Sequence, residues 1–350
     1  MADKHRVRFE PVGIEIEVEE DETILDGAFR QGLQLMHGCK EGQCSACKSF
    51  LLEGEEGMEV ELGKYSTFAL NDMEKEEGHV LLCRTYAYDD VTIELLNYDE
   101  DMLRSGVPIS TARTKITAID PVTSDMRRLA LELVEPTTFA FIPGQYLDLH
   151  VPDSDETRSF SMATTPSNEG HLEFVIKCYP GGRFSELLQN GLHVGDEITV
   201  TGPYGLFTLR EGRTSDIVFV GGGAGIAPVL SLLRSMDERG IERTSRFYYG
   251  ARTEDDLPFR TEIGTFEQRL GSFSFTPALS HLPDGAEWSG ETGFVHDVVD
   301  RIEGDLSGCD AYVCGPPPMV EAAIAVLEKH GVPTDHIYFD KFTTSAEADS

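Results

Sequence analysis

Four of the seven cysteines are spaced in a way that few protein folds can accommodate. The sequence contains Cys39-x4-Cys44-x2-Cys47, and Cys83 follows at a distance. This is the plant-type spacing of a [2Fe–2S] cluster, whose two irons require four thiolate ligands. The spacing therefore predicts that these four cysteines bind a [2Fe–2S] cluster within a small domain.

A structural zinc site is the alternative interpretation of the same cysteines. Zinc sites usually combine two closely spaced pairs, whereas this chain has one C-x2-C pair and an isolated Cys83. Small loop residues would let backbone N–H groups approach the cluster sulfurs; they are Gly38, Gly42, Ser45 and Ala46. We expect Cys178 and Cys309 to be buried or free thiols, because an odd, clustered set of cysteines disfavours a disulfide framework.

The charge of the chain excludes several classes of partner. It has 62 acidic and 29 basic residues, and 24 of the acidic ones lie in residues 1–100 with only 9 basic residues. Such a surface repels nucleic acid and anionic lipid, so no nucleic acid and no membrane is expected as a partner. The excess of acidic residues provides either solubility or a docking surface for a basic protein.

No secretory signal or membrane span is expected. The first residues lack an apolar stretch, and the longest nearly apolar run, 217–233, contains four glycines and Pro228. That run is typical of a buried strand, a turn and the start of a helix. A cytoplasmic location is the default expectation.

Residues 1–98 are predicted to form a small α+β domain of the ferredoxin-like β-grasp class. Apolar residues alternate with glutamates from Val12 to Val18, which is typical of a half-exposed strand. Thr23 and Asp26 resemble a capping box for a helix that would reach about Leu35. A closing strand is expected near 91–95, and the polar segment 97–108 is predicted to be a linker.

Two further domains are predicted, because the pattern of strand and helix candidates changes along the chain. Residues 108–212 are rich in short strands and turns, which favours an antiparallel β-barrel. In residues 215–350, strand candidates at 217–220, 246–250, 273–279 and 311–314 alternate with helix candidates at 228–239, 259–269, 293–303 and 317–330. This βαβ pattern predicts a Rossmann-like α/β domain with a parallel sheet.

The barrel segment carries two motifs that suit a flavin. The first is Arg158-x-Phe160-Ser161, in which an arginine can hold a phosphate and an aromatic ring can cover a flat cofactor. About 20 residues later, a glycine pair followed by a serine at a helix start suits a diphosphate; the residues are Gly182, Arg183 and Ser185. Each motif alone is more often structural, and the two together favour a binding site.

Two glycine-rich turns in the last domain suit a nicotinamide dinucleotide. One follows the first strand and contains Gly222, Gly223, Gly225 and Pro228; the other is Cys314-Gly315-Pro316. Both lie at the carboxyl ends of predicted parallel strands, where open α/β sheets bind ligands. The spacing is not G-x-G-x-x-G, and two ordinary tight turns remain the alternative.

With these motifs in the order ferredoxin, flavin and nicotinamide, the chain resembles the ferredoxin-reductase superfamily. It is most similar to the reductase components of bacterial multicomponent monooxygenases, which serve soluble methane, propane and phenol hydroxylases. The resemblance covers nearly the whole chain. It implies an NADH:acceptor oxidoreductase with FAD and a [2Fe–2S] cluster, which delivers electrons to the hydroxylase component.

The resemblance also implies roles for individual residues. Arg158 would contact the FAD phosphates, Phe160 would pack on the isoalloxazine and Ser161 would lie near its N5 edge. Cys314 would lie near the nicotinamide, and Phe342 in the C-terminal segment would cover the flavin until NADH displaces it. The remaining glycine-turn residues would hold the two diphosphates; they are Gly182, Arg183, Ser185, Gly222, Gly223, Gly225, Pro228, Gly315 and Pro316.

The acidic residues after Arg252, at 254–256, suit ribose hydroxyls and favour NADH, although Arg252 alone would suit a 2′-phosphate.

A reductase for a ring-hydroxylating dioxygenase would use the same chemistry, so it remains an alternative. The chain itself is not a di-iron hydroxylase, because such bundles need two Glu-x-x-His motifs and only one, Glu76 to His79, occurs.

Overall fold

The computed structural model describes residues 3–342, apart from 39, 41, 44, 53–59, 100–102, 104–105, 155, 283–284 and 286. The chain divides into two compact units, Met1–Ser110 and Thr111–Ser350. In the described residues, no helix has both the length and the apolar composition needed to cross a membrane. Each unit has its own sheets and its own core.

The first unit is a mixed β-grasp sheet with a short helix against it. The strand order is β2-β1-β7-β3-β5, and β1 pairs antiparallel with β2 and parallel with β7. The elements are β1 Lys4–Glu10, β2 Ile14–Glu19, α1 Ile24–Arg30, β3 Lys48–Leu51, β4 Val60–Leu62, α2 Asp72–Glu76, β5 His79–Leu81, β6 Thr85–Ala87 and β7 Val91–Glu94. The predicted α+β class is confirmed.

Helix α1 is shorter than the sequence predicted. Thr23 caps its start as expected, since its hydroxyl accepts from the Asp26 N–H at 3.1 Å. The helix ends at Arg30 rather than near Leu35, because Gly32 adopts φ +75° and the Leu33 N–H returns to the Ala28 carbonyl at 2.9 Å. A left-handed glycine with this bond is a common way to terminate a helix.

The described residues of the polar segment 97–108 belong to the first unit and pack within it. Leu103 is buried, and its carbonyl accepts from the Gln34 N–H at 3.1 Å. A Cβ atom on Gly106 would lie 2.2 Å from the Gly32 carbonyl oxygen, so the two backbones are in close contact there. Polar composition predicted a linker and did not reveal this packing.

The first half of the second unit is a six-stranded antiparallel barrel, as predicted. Its strand order is β11-β10-β13-β8-β9-β12, and a bridge between Met162 and Phe174 connects its two ends. The elements are β8 Ser110–Pro121, β9 Met126–Glu135, β10 Tyr146–His150, β11 Thr157–Ser161, β12 His171–Lys177, α3 Arg183–Glu186 and β13 Glu197–Tyr204. Inward side chains of these strands form one apolar cluster.

The second half is a parallel sheet with helices on it, which confirms the predicted α/β class. The strand order is β17-β16-β15-β14-β18-β19. The elements are β14 Asp216–Gly222, α4 Ile226–Arg239, β15 Ser245–Ala251, α5 Arg260–Arg269, β16 Phe273–Leu279, β17 Glu291–Thr292, α6 Val295–Ile302, β18 Cys309–Gly315, α7 Pro317–Lys329 and β19 Ile337–Lys341. The adjacent strands β14 and β18 therefore end side by side.

Candidate functional site

The fold brings the distant Cys83 next to the cysteine loop. Strands β3 and β5 pair antiparallel, and the Leu82 N–H donates to the Cys47 carbonyl at 3.2 Å. Cys47 and Cys83 are both buried in the first unit. Cys39 and Cys44 lie outside the described residues. The two described thiols thus fit a shared site that sequence spacing alone could not demonstrate.

Among the described residues of the cysteine loop, two non-glycine residues adopt a backbone conformation that is unusual for L residues. Lys40 and Ser45 have φ values of +57° and +59°, and Gly42 has +74°. The Ser45 hydroxyl donates to the Ala69 carbonyl at 2.9 Å, so a neighbouring segment supports the loop. Left-handed non-glycine residues are costly and cluster at functional sites, which fits a loop shaped around a ligand.

The flavin candidates lie on strand β11 in the barrel. Phe160 packs against Phe184 with ring centroids 4.9 Å apart. The Ser161 hydroxyl is buried, and no described residue forms a hydrogen bond with it. Since buried polar atoms are nearly always paired, this hydroxyl fits a position that receives its partner from a ligand.

A glutamate connects the two predicted phosphate-binding arginines. Glu156 contacts Arg158 at 2.8 Å with one carboxylate oxygen and Arg183 at 2.8 Å with the other. Two guanidinium groups that converge on one anion fit a diphosphate in chemistry and charge. Sequence reasoning missed Glu156, although its spacing of two residues from Arg158 could have placed it on the same strand face.

Gly182 is the N-cap residue of α3, and Ser185 lies within that short helix. The Ser185 hydroxyl is buried and accepts from the Tyr179 N–H at 3.0 Å. A Cβ atom on Gly182 would lie 2.9 Å from that hydroxyl oxygen. The predicted second flavin motif is therefore a tight turn whose residues contact one another, and Arg183 extends from it to Glu156.

The two predicted nucleotide turns contact each other at the ends of β14 and β18. A Cβ atom on Gly225 would lie 2.1 Å from the Cys314 carbonyl oxygen. Gly315, at φ +151°, would meet the Gly222 carbonyl oxygen at 2.9 Å. Only glycine allows these backbones to approach so closely, and the turn then leads into α4, which is a suitable start for anion binding.

A cavity of about 420 Å³ opens beside these turns. It extends along the carboxyl ends of the parallel strands, where an α/β sheet binds its ligand. Its walls come from both halves of the second unit, and the lining residues are Asp125, Met126, Lys177, Gly222, Gly223, Tyr249, Gly250, Ala251, Arg252, Asp256, Ser280, Gly293, Phe294, Val295, His296, Pro316, Pro318 and Met319. Its position fits an elongated dinucleotide.

Sequence reasoning missed the barrel side of this cavity. Lys177, at the end of β12, lies beside the Gly223 backbone, since a Cβ atom on Gly223 would be 3.6 Å from its Cδ. Its ammonium group is 3.2 Å from the Asp125 carboxylate. Neither residue has a local sequence signal, because each is brought to the turn by the packing of the barrel against the sheet.

The nicotinamide candidates lie at the same strand ends. Cys314 is completely buried, and burial with the nearby Asp340 carboxyl raises the pKa of its thiol well above the usual range. Burial also raises the pKa of Asp340 to about 7. Phe342 is half-buried, and its N–H donates to the Gly315 carbonyl at 2.9 Å. The thiol is therefore neutral, and the aromatic residue lies beside the second nucleotide turn.

Family models match most of the chain. Residues 7–88 match the 2Fe-2S iron-sulfur cluster binding domain, residues 113–209 the oxidoreductase FAD-binding domain and residues 219–324 the oxidoreductase NAD-binding domain. These matches agree with the predicted cofactors, which are a [2Fe–2S] cluster, FAD and NADH.

Whole-length relatives share the same arrangement. The chain is 57% identical to the propane 2-monooxygenase reductase component of Rhodococcus jostii over 99% of its length and 93% of the relative's. It is 36% identical to the phenol 2-monooxygenase reductase component DmpP of a Pseudomonas strain, over 98% and 96%. Among solved structures, it is similar to the Amycolatopsis cytochrome P450 reductase GcoB, with a TM-score of 0.86, 29% identity and coverage of 97% and 99%.

Proposed function

Because this chain belongs to the family of monooxygenase reductase components, we propose that it supplies the oxygenase component of a propane-oxidising monooxygenase with electrons. The chain is an iron–sulfur flavoprotein oxidoreductase that uses NADH, FAD and a [2Fe–2S] cluster. The observation that carries the proposal is the match of 99% of the chain to a propane 2-monooxygenase reductase component at 57% identity.

FAD held by these residues would supply the two-electron oxidation of NADH and the one-electron transfers that a [2Fe–2S] cluster requires. The protein contributes binding and orientation, so no side chain has to act as a nucleophile. A neutral, buried Cys314 agrees with that requirement.

The flavin is held by residues of the barrel in this proposal. Arg158 and Arg183 bind its phosphates, for which their shared contact with Glu156 is the support. Phe160 packs on the ring system, and the unpaired Ser161 hydroxyl lies near its reactive edge. Gly182 and Ser185 shape the turn beneath the diphosphate.

The dinucleotide occupies the 420 Å³ cavity of the second unit. The backbone N–H groups of 222–225 face its pyrophosphate, and Pro228 lies in the first turn of the helix that follows. Pro316 lines the opposite wall, and Gly315, Cys314 and Phe342 would lie near the nicotinamide, since the Phe342 N–H donates to the Gly315 carbonyl. Phe342 would cover the flavin until NADH displaces it.

The cluster is bound by Cys39, Cys44, Cys47 and Cys83 in the first unit. Burial of Cys47 and Cys83, next to the ends of the paired strands β3 and β5, supports this assignment. We place the domain boundaries at 1–98, 108–212 and 215–350, and the protein in the cytoplasm, where NADH is available and thiols remain reduced.

The test is reconstitution with purified partner proteins. The reductase is mixed with NADH, oxygen and the oxygenase component of a propane 2-monooxygenase, and propanol formation is measured. The proposal predicts NADH-dependent product. A matched sample contains the oxygenase of a ring-hydroxylating dioxygenase instead, and support of that enzyme alone would contradict the proposal.

Salt dependence tests how the partner is recognised. The first 100 residues carry 24 acidic and 9 basic residues. If this unit docks electrostatically, the rate of product formation should fall as salt rises, because exposed charges are screened beyond about 10 Å at 0.1 M. The rate of flavin reduction by NADH serves as the control, and equal salt effects on both rates would contradict electrostatic docking.

A further inference from the structure

A positively charged side chain, that of Arg252, lines the part of the nucleotide cavity where we expect the adenosine ribose. Arg252 directly follows β15 and lines the cavity together with Asp125 and Asp256. In dinucleotide-binding folds, an arginine in this region accommodates the 2′-phosphate of NADPH, whereas a carboxylate suits the ribose hydroxyls of NADH. The residue type at 252 would therefore favour NADPH if its guanidinium were available.

The guanidinium is engaged by two carboxylates. Asp256 accepts from its Nε at 3.1 Å and from its Nη2 at 2.8 Å. Asp125 accepts from the same Nη2 at 2.8 Å. Burial opposes ionisation of Asp256, yet the hydrogen bonds from Arg252 outweigh it and lower the pKa of that carboxyl. The Asp256 carboxylate is therefore charged at neutral pH.

Asp125 reaches Arg252 from the other half of the unit. It lies between β8 and β9 of the barrel, 127 residues before its partner. The Thr123 hydroxyl donates to the Oδ1 atom of Asp125 at 3.1 Å. The Lys177 ammonium group lies 3.2 Å from Oδ2, the oxygen that also accepts from Arg252. These contacts fix the carboxylate over the cavity wall, where it neutralises both nearby cations.

We propose that Asp125, together with Asp256, selects NADH by neutralising Arg252 and repelling a 2′-phosphate. The proposal rests on the NADH site described above and identifies the residues that determine its specificity. A phosphate of charge near −2 would have to displace one carboxylate from Arg252 and lie beside the other. NADH has only a hydroxyl at this position and meets no such opposition.

The first test is the substitution Asp125→Asn in the FAD-loaded protein. Flavin reduction by NADPH and NADH is measured by stopped flow, and the ratio of their kcat/KM values should rise about fivefold, the range of a partly exposed ion pair. The ratio is informative because both cofactors share the pyrophosphate near Lys177.

Two control variants separate this effect from a general change in charge. Asp120→Asn removes an exposed carboxylate from the same barrel, where it pairs with Arg128 at 2.8 Å, outside the cavity. It should leave the ratio unchanged. Adding Arg252→Gln to Asp125→Asn should cancel the gain for NADPH. An unchanged ratio in Asp125→Asn, or a gain that survives Arg252→Gln, would overturn the proposal.

The second test uses the unmodified holoprotein, so it does not depend on the folding of a variant. Calorimetric titration compares 2′,5′-ADP with 5′-AMP, which differ by the 2′-phosphate. The proposal predicts that 2′,5′-ADP binds no more tightly, and tighter binding would overturn it. If neither NADH nor NADPH reduced the flavin, the proposed function would fail instead, so the two failures are distinguishable.

Discussion

The nucleotide cavity is bounded by main-chain turns, whereas the predicted flavin site is bounded by charged side chains. At the cavity, Gly225 and Gly315 allow two backbones to touch, and neither can accept a Cβ atom without a shift. At the flavin site, Arg158 and Arg183 are partly exposed and share Glu156. Side chains can rotate when a ligand binds, whereas packed turns cannot. We therefore expect substitutions at the cavity turns to have large effects on NADH kinetics, and substitutions at the flavin site to have smaller effects on FAD affinity.

The largest effect is expected for Gly225→Ala. The new methyl group would lie 2.1 Å from the Cys314 carbonyl, so the turn has to move. A displacement near 1 Å in a reactive site can cost about 100-fold in rate. We expect kcat/KM for NADH to fall by that factor while FAD remains bound, measured by stopped flow and by flavin absorbance.

Gly264→Ala is the matched control for this substitution. Gly264 lies in helix α5, and a Cβ atom there meets no described atom within 4 Å. It should preserve NADH kinetics and slightly stabilise the helix, because alanine favours helix by up to about 1 kcal/mol over glycine. Normal NADH kinetics in Gly225→Ala would show that the cavity turn adapts as easily as a side chain.

A smaller effect is expected for Arg158→Ala. Loss of a charged hydrogen bond to a phosphate costs about 1.5–3 kcal/mol, so the Kd for FAD should rise roughly 10- to 100-fold. Fluorescence titration of the flavin-depleted protein measures this change. Arg113→Ala removes an exposed arginine elsewhere on the barrel, where it pairs with Glu135 and Glu197. If both variants weakened FAD equally, Arg158 would have no specific role.

The opposite change in the Kd for FAD is expected for Glu156→Gln. The glutamate occupies the two arginines that the cofactor phosphates would use, so its removal should tighten FAD binding. An exposed ion pair is worth up to about 1 kcal/mol, which corresponds to roughly fivefold in Kd. The same titration measures it, and weaker FAD binding would show that Glu156 positions the arginines rather than competing for them.

The pH dependence of the free energy of unfolding tests the environment of Asp340 in strand β19. The pKa of Asp340 is raised to about 7 in the folded chain. Below its ordinary value of 3.8 the carboxyl is neutral in both states, and as pH rises toward 7 ionisation increasingly favours the unfolded chain. Asp340→Asn should therefore become more stable relative to the unmodified protein between pH 4 and about 7, in chemical denaturation with excess FAD. A pH-independent difference would contradict this.

The sequence predicted the parallel sheet more closely than the loops around the site. Strand candidate 273–279 coincides with the observed Phe273–Leu279, which pairs with β15 along its whole length. Helix α1 ended early because one left-handed glycine, Gly32, outweighed the apolar residues after it. Leu103 was hidden in a polar segment, since one apolar side chain is enough to hold a loop.

The candidate site was predictable where backbone chemistry leaves a local signature. Glycine turns and cysteine spacing are such signatures, and the carboxyl ends of parallel strands place them together. Asp125 and Lys177 have no local signature. Their role depends on contacts between segments far apart in the chain, such as the 127 residues that separate Asp125 from Arg252.

Anaerobic titration with NADH, followed in the visible spectrum, tests the electron path most directly. The account predicts that both the flavin and the iron–sulfur bands bleach and that the protein accepts about three electrons per chain, two at FAD and one at the cluster. Cys83→Ser should abolish the cluster bands and stop at two electrons. A cluster that stays oxidised while the flavin is reduced, or bleaching by NADPH alone, would contradict the account.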